Sequence, residues 1–121
     1  MAKALYYSKI DKYEARFGSA HLWKMSLQTG RETLAFDEGV YTRYWTVTER
    51  GIYFLPADWS RRPIIKFFSF STGLVTQVVA LEKAPVAYGN PGLTISPDGR
   101  WILCALVEQD SSDIMLVENF R

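Results

Sequence analysis

An all-β fold built from β-propeller blades is predicted by three observations. The first is a tight turn between two apolar runs: Ser96-Pro97-Asp98-Gly99 leads into Arg100-Trp101-Ile102-Leu103. Pro97 presets the dihedral of a type I turn, Asp98 accepts local backbone bonds, and Gly99 supplies the left-handed residue that closes a hairpin. The second is a relative of that hairpin upstream, Thr48-Glu49-Arg50-Gly51 followed by Ile52-Tyr53-Phe54-Leu55. The third is periodicity. Ser26-Leu27-Gln28-Thr29-Gly30 recurs as Ser69-Phe70-Ser71-Thr72-Gly73, 43 residues later. Leu22-Trp23-Lys24-Met25, Ile65-Lys66-Phe67-Phe68 and Ile114-Met115-Leu116-Val117 fall in register as three versions of one strand. A period of about 40–50 residues filled with short strands and Gly turns is that of a propeller blade, and no long amphipathic helix competes with it.

Each blade reads as four strands, A to D, from the ring axis outward. Residues 44–81 make a complete blade, with A at Tyr44–Thr48, B at Ile52–Pro56, C at Ile64–Phe70 and D at Thr76–Leu81. Residues 1–36 supply B (Ala4–Ser8), C (Leu22–Leu27) and D (Glu32–Phe36), so this blade lacks strand A. Residues 92–121 supply A (Leu93–Ser96), B (Trp101–Val107) and C (Ile114–Glu118), without the outer strand D. The whole of 1–121 then reads as a partial propeller that begins inside one blade and stops inside another. Rings close with 4–8 blades, so about three form an open wedge with apolar sheet faces at both ends. Two ways of covering them stay open: the rest of a longer propeller chain, or homo-oligomerisation that completes a ring.

Composition agrees with a packed β domain. Hydrophobic residues make up 48% and aromatics 15% of the 121 residues, enough for a core suited to pleated sheets. A net charge of +1 spread along the chain gives no footprint for nucleic acid, and no apolar run approaches a membrane span, so this segment is expected to bind neither. Cys104, the single cysteine, sits mid-strand as a buried, inert thiol. Trp101 is expected to be a buried aromatic of an inner strand.

The stretch Leu93 to Leu103 resembles the Ser-Pro-Asp-Gly core of the WD40-like repeat known as PD40, found in TolB-like propellers. The closing segment Ser112 to Arg121 is similar to the ends of TolB-like propellers in bacterial sensors and regulators. The resemblance implies a non-enzymatic sensory or protein-interaction domain with no cofactor, periplasmic if TolB-like, with an accessory propeller of a hydrolase as a weaker alternative. The first two blades depart from it, since Thr48-Glu49-Arg50-Gly51 lacks the Pro and Asp and the first blade has no such turn.

Catalytic and metal signatures are absent from the sequence. Gly18-Ser19-Ala20-His21 lacks nucleophile-elbow spacing, and His21 is the single histidine, so neither a triad nor a multi-histidine zinc site is expected. Asp110-Ser111-Ser112-Asp113 offers too few constrained oxygens for calcium and reads as a turn. Binding is expected on the loop-rich face, where the B–C and D–A connections emerge opposite the tight turns. These loops carry Tyr13, Arg16, Phe17, Tyr41, Arg43, Trp59, Arg61, Arg62, Tyr88 and Asn90. Aromatic and Arg side chains on rigidly held loops are typical recognition material, although they equally suit a roof over the core.

Overall fold

The computed structural model describes residues 4–10, 19–57, 63–81, 92–108 and 111–118. Their regular elements are all strands: β1 (Ala4–Ile10), β2 (Ser19–Ser26), β3 (Glu32–Leu34), β4 (Val40–Val47), β5 (Gly51–Pro56), β6 (Ile64–Ser69), β7 (Val75–Ala80), β8 (Leu93–Ile95), β9 (Trp101–Glu108) and β10 (Ser111–Glu118). Pairing is antiparallel throughout, as β1-β2-β3, β4-β5-β6-β7 and β8-β9-β10. These are propeller blades, the middle one with four strands.

Turn chemistry explains why the strands end where they do. In both copies of the Ser-x-x-Thr-Gly turn the glycine is left-handed, with φ of 74° at Gly30 and 71° at Gly73. Gly30 N–H donates to the Ser26 carbonyl and Gly73 N–H to that of Ser69, each at 2.8 Å. The Thr29 hydroxyl accepts from Arg31 N–H and that of Thr72 from Leu74 N–H, both at 3.2 Å. The repeat therefore holds at the level of single hydrogen bonds. At the third blade Gly99 has φ of 73°, and Asp98 Oδ1 accepts from the Ser96 hydroxyl at 2.6 Å and from Arg100 N–H at 3.1 Å.

Those bonds favour ionised Asp98 and hold its carboxyl below the usual value, the Ser96 bond first and the Arg100 amide second. A depressed carboxyl contributes stability that is present above its unfolded-state value, near 4, and lost as pH falls through the folded-state value. The stability gap between the parent and Asp98→Asn is therefore expected to narrow as pH drops from about 6 to about 3. Urea titrations at both values check this, and a gap that widened in acid would contradict it.

Period-2 alternation along β5 joins the blades. Ile52 and Phe54 face the first blade, packing with its Ala20, Leu22 and Phe36 and with Val40 of β4. Leu55 points the other way into a cluster of Tyr44, Ile65, Leu81, Leu93, Ile102 and Cys104, with Tyr53 packed against it. A strand apolar on both faces sits between two layers. The repeat preserves these roles, since Leu22 is buried against the second blade and Ile65, 43 residues on, against the third. An aromatic row reinforces the first junction: Phe36 lies 4.7 Å from Phe54 and 4.9 Å from Phe68 between ring centres.

Three expectations need correcting. The first two blades share hydrogen bonds: β4 starts at Val40 rather than Tyr44, and its first residues pair with β2 through Ser19↔Tyr41 and Ala20↔Val40. The segment expected as a loop is thus partly strand. The chain then kinks at Arg43, whose φ of 71° is left-handed, and the register with β5 shifts between Val40 and Trp45. The stretch expected as a turn at Asp110-Ser111-Ser112-Asp113 is strand from Ser111 onward, where Ser111, Ser112 and Asp113 pair with Glu108, Val107 and Leu106. Gly51, unlike Gly30, Gly73 and Gly99, is not left-handed. A Cβ there would meet the Phe68 carbonyl and the Phe67 ring, so its role is close approach of β5 to β6. Trp101 is half-buried, because the alternation of β9 turns its neighbour Ile102 into the core instead. Cys104 is buried as expected, and desolvation pushes its thiol up to about 11.

Candidate binding clefts between the blades

Of the residues expected to form a recognition surface, Tyr13, Arg16, Phe17, Trp59, Arg61, Arg62, Tyr88 and Asn90 lie outside the described residues, as does Asp110. Tyr41 is half-buried, packed against the second core cluster with its ring 5.4 Å from that of Tyr44. Arg43 is exposed at the kink of β4, and its carbonyl accepts from Gly92 N–H at 2.9 Å. Gly92 in turn leaves room for the Tyr44 ring, which a Cβ would strike. The kink at Arg43 therefore also ties the second blade to the third.

The geometry draws attention to the opposite end, where the tight turns emerge. A cleft of about 1000 Å³ opens between the first and second blades. Its blade-one wall carries Lys24, Arg31, Thr29 and Thr33, and the hairpin residues Thr48 and Glu49 face them. Tyr6 and Phe70 form the floor, stacked 5.6 Å apart at 21°. Burial raises the Tyr6 phenol above its usual value, so it presents a neutral hydroxyl. A second cleft of about 720 Å³ lies between the second and third blades, where Tyr53 and Phe67, rings 4.6 Å apart, meet the Ser96-Pro97-Asp98-Gly99 turn.

Register shows that the blades lining these clefts repeat one cross-strand row. Tyr6, Lys24 and Thr33 form a cross-strand row in the first blade, and Tyr53, Phe67 and Thr76 form the matching row in the second. The tight turns read in the sequence as structural punctuation, so the clefts beside them went unread. The signal was nevertheless there, in the side chains that differ between otherwise matching turns.

The face of the first blade turned away from the second carries Leu5, Tyr7, Trp23, Met25 and Leu34. Leu5 is 52% and Leu34 37% exposed. Across it runs a polar clasp: Tyr7 hydroxyl and Lys9 Nζ donate to the two Glu32 carboxylate oxygens at 2.5 and 2.8 Å, and Lys9 Nζ lies 4.3 Å from the centre of the Trp23 ring. The bond from Lys9, then that from Tyr7, lowers the Glu32 carboxyl. Desolvation and then the Glu32 bond push the Tyr7 phenol to about 12. Among the described residues no group of three or more His, Cys, Asp or Glu is placed to hold a metal ion, and no helix is long and apolar enough to cross a membrane.

This geometry has a solved counterpart. Over 97% of its length the chain superposes on the crystal structure of TolB from Acinetobacter baumannii, with a TM-score of 0.67 and 14% sequence identity. The fold is that of TolB-type propeller blades. The chain spans 27% of that TolB chain, and at this identity the likeness concerns architecture alone. No protein-family model and no curated protein sequence matches the chain.

Proposed function

We propose that this chain is a non-enzymatic binding and scaffolding module, the C-terminal blades of a TolB-like propeller of the PD40 kind that serves as the sensory or protein-interaction domain of a larger bacterial protein. One observation carries the reading, the apolar face of the first blade. Leu5, Tyr7, Trp23, Met25 and Leu34 continue in the outward direction the stacking that Ile52 and Phe54 make inward. Apolar side chains gathered on one accessible sheet face mark an interaction site, and in a ring the next blade covers such a face. Recognition of a protein partner by the loop-rich face around Trp59, Arg61 and Arg62 belongs to the same proposal. The same observation favours a second reading, in which copies of the chain complete the ring by homo-oligomerisation.

Light scattering on the isolated chain at micromolar concentration tests this. Graded, concentration-dependent association above 13.9 kDa is expected of blades taken from a longer ring, and a single closed oligomer of a chain that completes its own. A monodisperse 13.9 kDa species with cooperative unfolding would overturn both.

A further inference from the structure

We propose that the cleft between the first and second blades is a receptor for a carboxylate side chain on an extended, partly apolar peptide segment of a protein partner. The inference is separate from the covering of the outward face, because the cleft lies on the other side of the first blade.

The repeat supplies an internal comparison. Ser26, Thr29, Thr33 and Tyr6 correspond by turn and register to Ser69, Thr72, Thr76 and Tyr53, so the two blades use the same hydroxyls at the same places. Among the lining positions that differ, two change charge. Lys24 corresponds to Phe67, and Arg31 to Leu74. The blade is thus built as well with two apolar residues there as with two cations. In the second cleft Phe67 closes onto Tyr53, and the space is smaller; in the first, both cations stay exposed and have no ion-pair partner among the described residues. Nothing in blade architecture asks for positive charge at this place.

Its chemistry defines the occupant. Lys24 and Arg31 share the wall with the hydroxyls of Thr29 and Thr33, a set of donors suited to a carboxylate. The stacked Tyr6 and Phe70 rings offer an apolar floor to the neighbouring side chain of the same segment. Glu49 on the opposite hairpin, with Asp98 beyond it in the next cleft, repels a second strong anion. A single carboxylate flanked by apolar residues fits this pattern, and a polyanion such as a nucleic acid does not.

Fluorescence anisotropy on the full 121-residue chain tests the assignment, using a dansylated, C-terminally amidated peptide of sequence Gly-Ala-Leu-Glu-Leu-Gly and its counterpart with Gln in place of the single Glu. The Glu peptide is expected to bind about three- to tenfold more tightly than the Gln peptide, the preference that two exposed charge pairs supply. The double variant Lys24→Glu with Arg31→Glu should lose that preference, and Lys24→Gln with Arg31→Gln most of it. Glu49→Gln should tighten binding about two- to threefold, from removal of an exposed repulsion. Circular dichroism and melting confirm that each variant is folded, and the exposed Gln pair serves if charge reversal unfolds the chain. Undetectable binding, equal binding of the two peptides, unchanged affinity in the Lys24 and Arg31 variants, or displacement by a single-stranded oligonucleotide would each overturn the proposal.

Discussion

Phe54→Ala is expected to lower the unfolding free energy by about 3–5 kcal/mol, the range for truncating a fully buried aromatic. Phe54 has no exposed surface, stacks near Phe36, and shares its strand with Leu55, which holds the other junction. The loss combines burial of a ring with a cavity between two sheets whose backbones are fixed by pairing on both sides, so collapse is poor. Phe67→Ala is the control: Phe67 is half-buried beside the second cleft and should cost clearly less. Urea titration of both variants decides the matter, and a Phe54→Ala cost no larger than that of Phe67→Ala would show that the blades do not meet through β5.

Gly51→Ala is expected to cost about 3 kcal/mol, the upper end of what an added core methyl incurs, because the atom it would meet is backbone. The Phe68 carbonyl belongs to the pairing partner of Ile52, so relief requires the β5–β6 register itself to move. Gly30→Ala and Gly73→Ala provide the contrast. Neither added Cβ meets anything within 4 Å, and each pays only the left-handed backbone penalty of about 1–2 kcal/mol. Thermal melts that ranked Gly51→Ala as the mildest of the three would contradict the close approach of β5 and β6.

What the sequence made legible follows from local chemistry. The turns at Ser26–Gly30, Ser69–Gly73 and Ser96–Gly99 declare themselves through Ser, Thr, Asp and Gly, whose hydrogen bonds and left-handed φ need no tertiary partner. Strand order followed from those turns together with the 43-residue repeat. The kink at Arg43 had no such signal, because a left-handed arginine is held by what surrounds it: the pairing of Tyr41 with Ser19 on one side and the Gly92 bond on the other. The role of Gly51 had no signal either, since a glycine retained for close approach looks identical to one retained for φ.

Candidate sites were harder to read. Loop length and aromatic content pointed to the loop-rich face, where Tyr41 packs against the core and Arg43 stands at a kink. Lys24 and Arg31 are ordinary exposed cations until β1, β2 and β3 are placed in register. Only then do they share one cleft with Tyr6, and only the second blade reveals that the scaffold does without them.

The central claim, that the outward face of the first blade is an association surface, is tested most directly by light scattering on Trp23→Glu beside the parent chain. Trp23 sits in the middle of that face, half-buried, against Lys9 and across from Tyr7 and Leu34. A carboxylate there cannot be stacked under another blade without an unpaired buried charge, which costs several kcal/mol. Trp23→Glu is predicted to shift the concentration for half-association at least tenfold upward while leaving the strand signature in circular dichroism unchanged. An association curve superimposable on that of the parent chain, in a variant that remains folded, would contradict the claim.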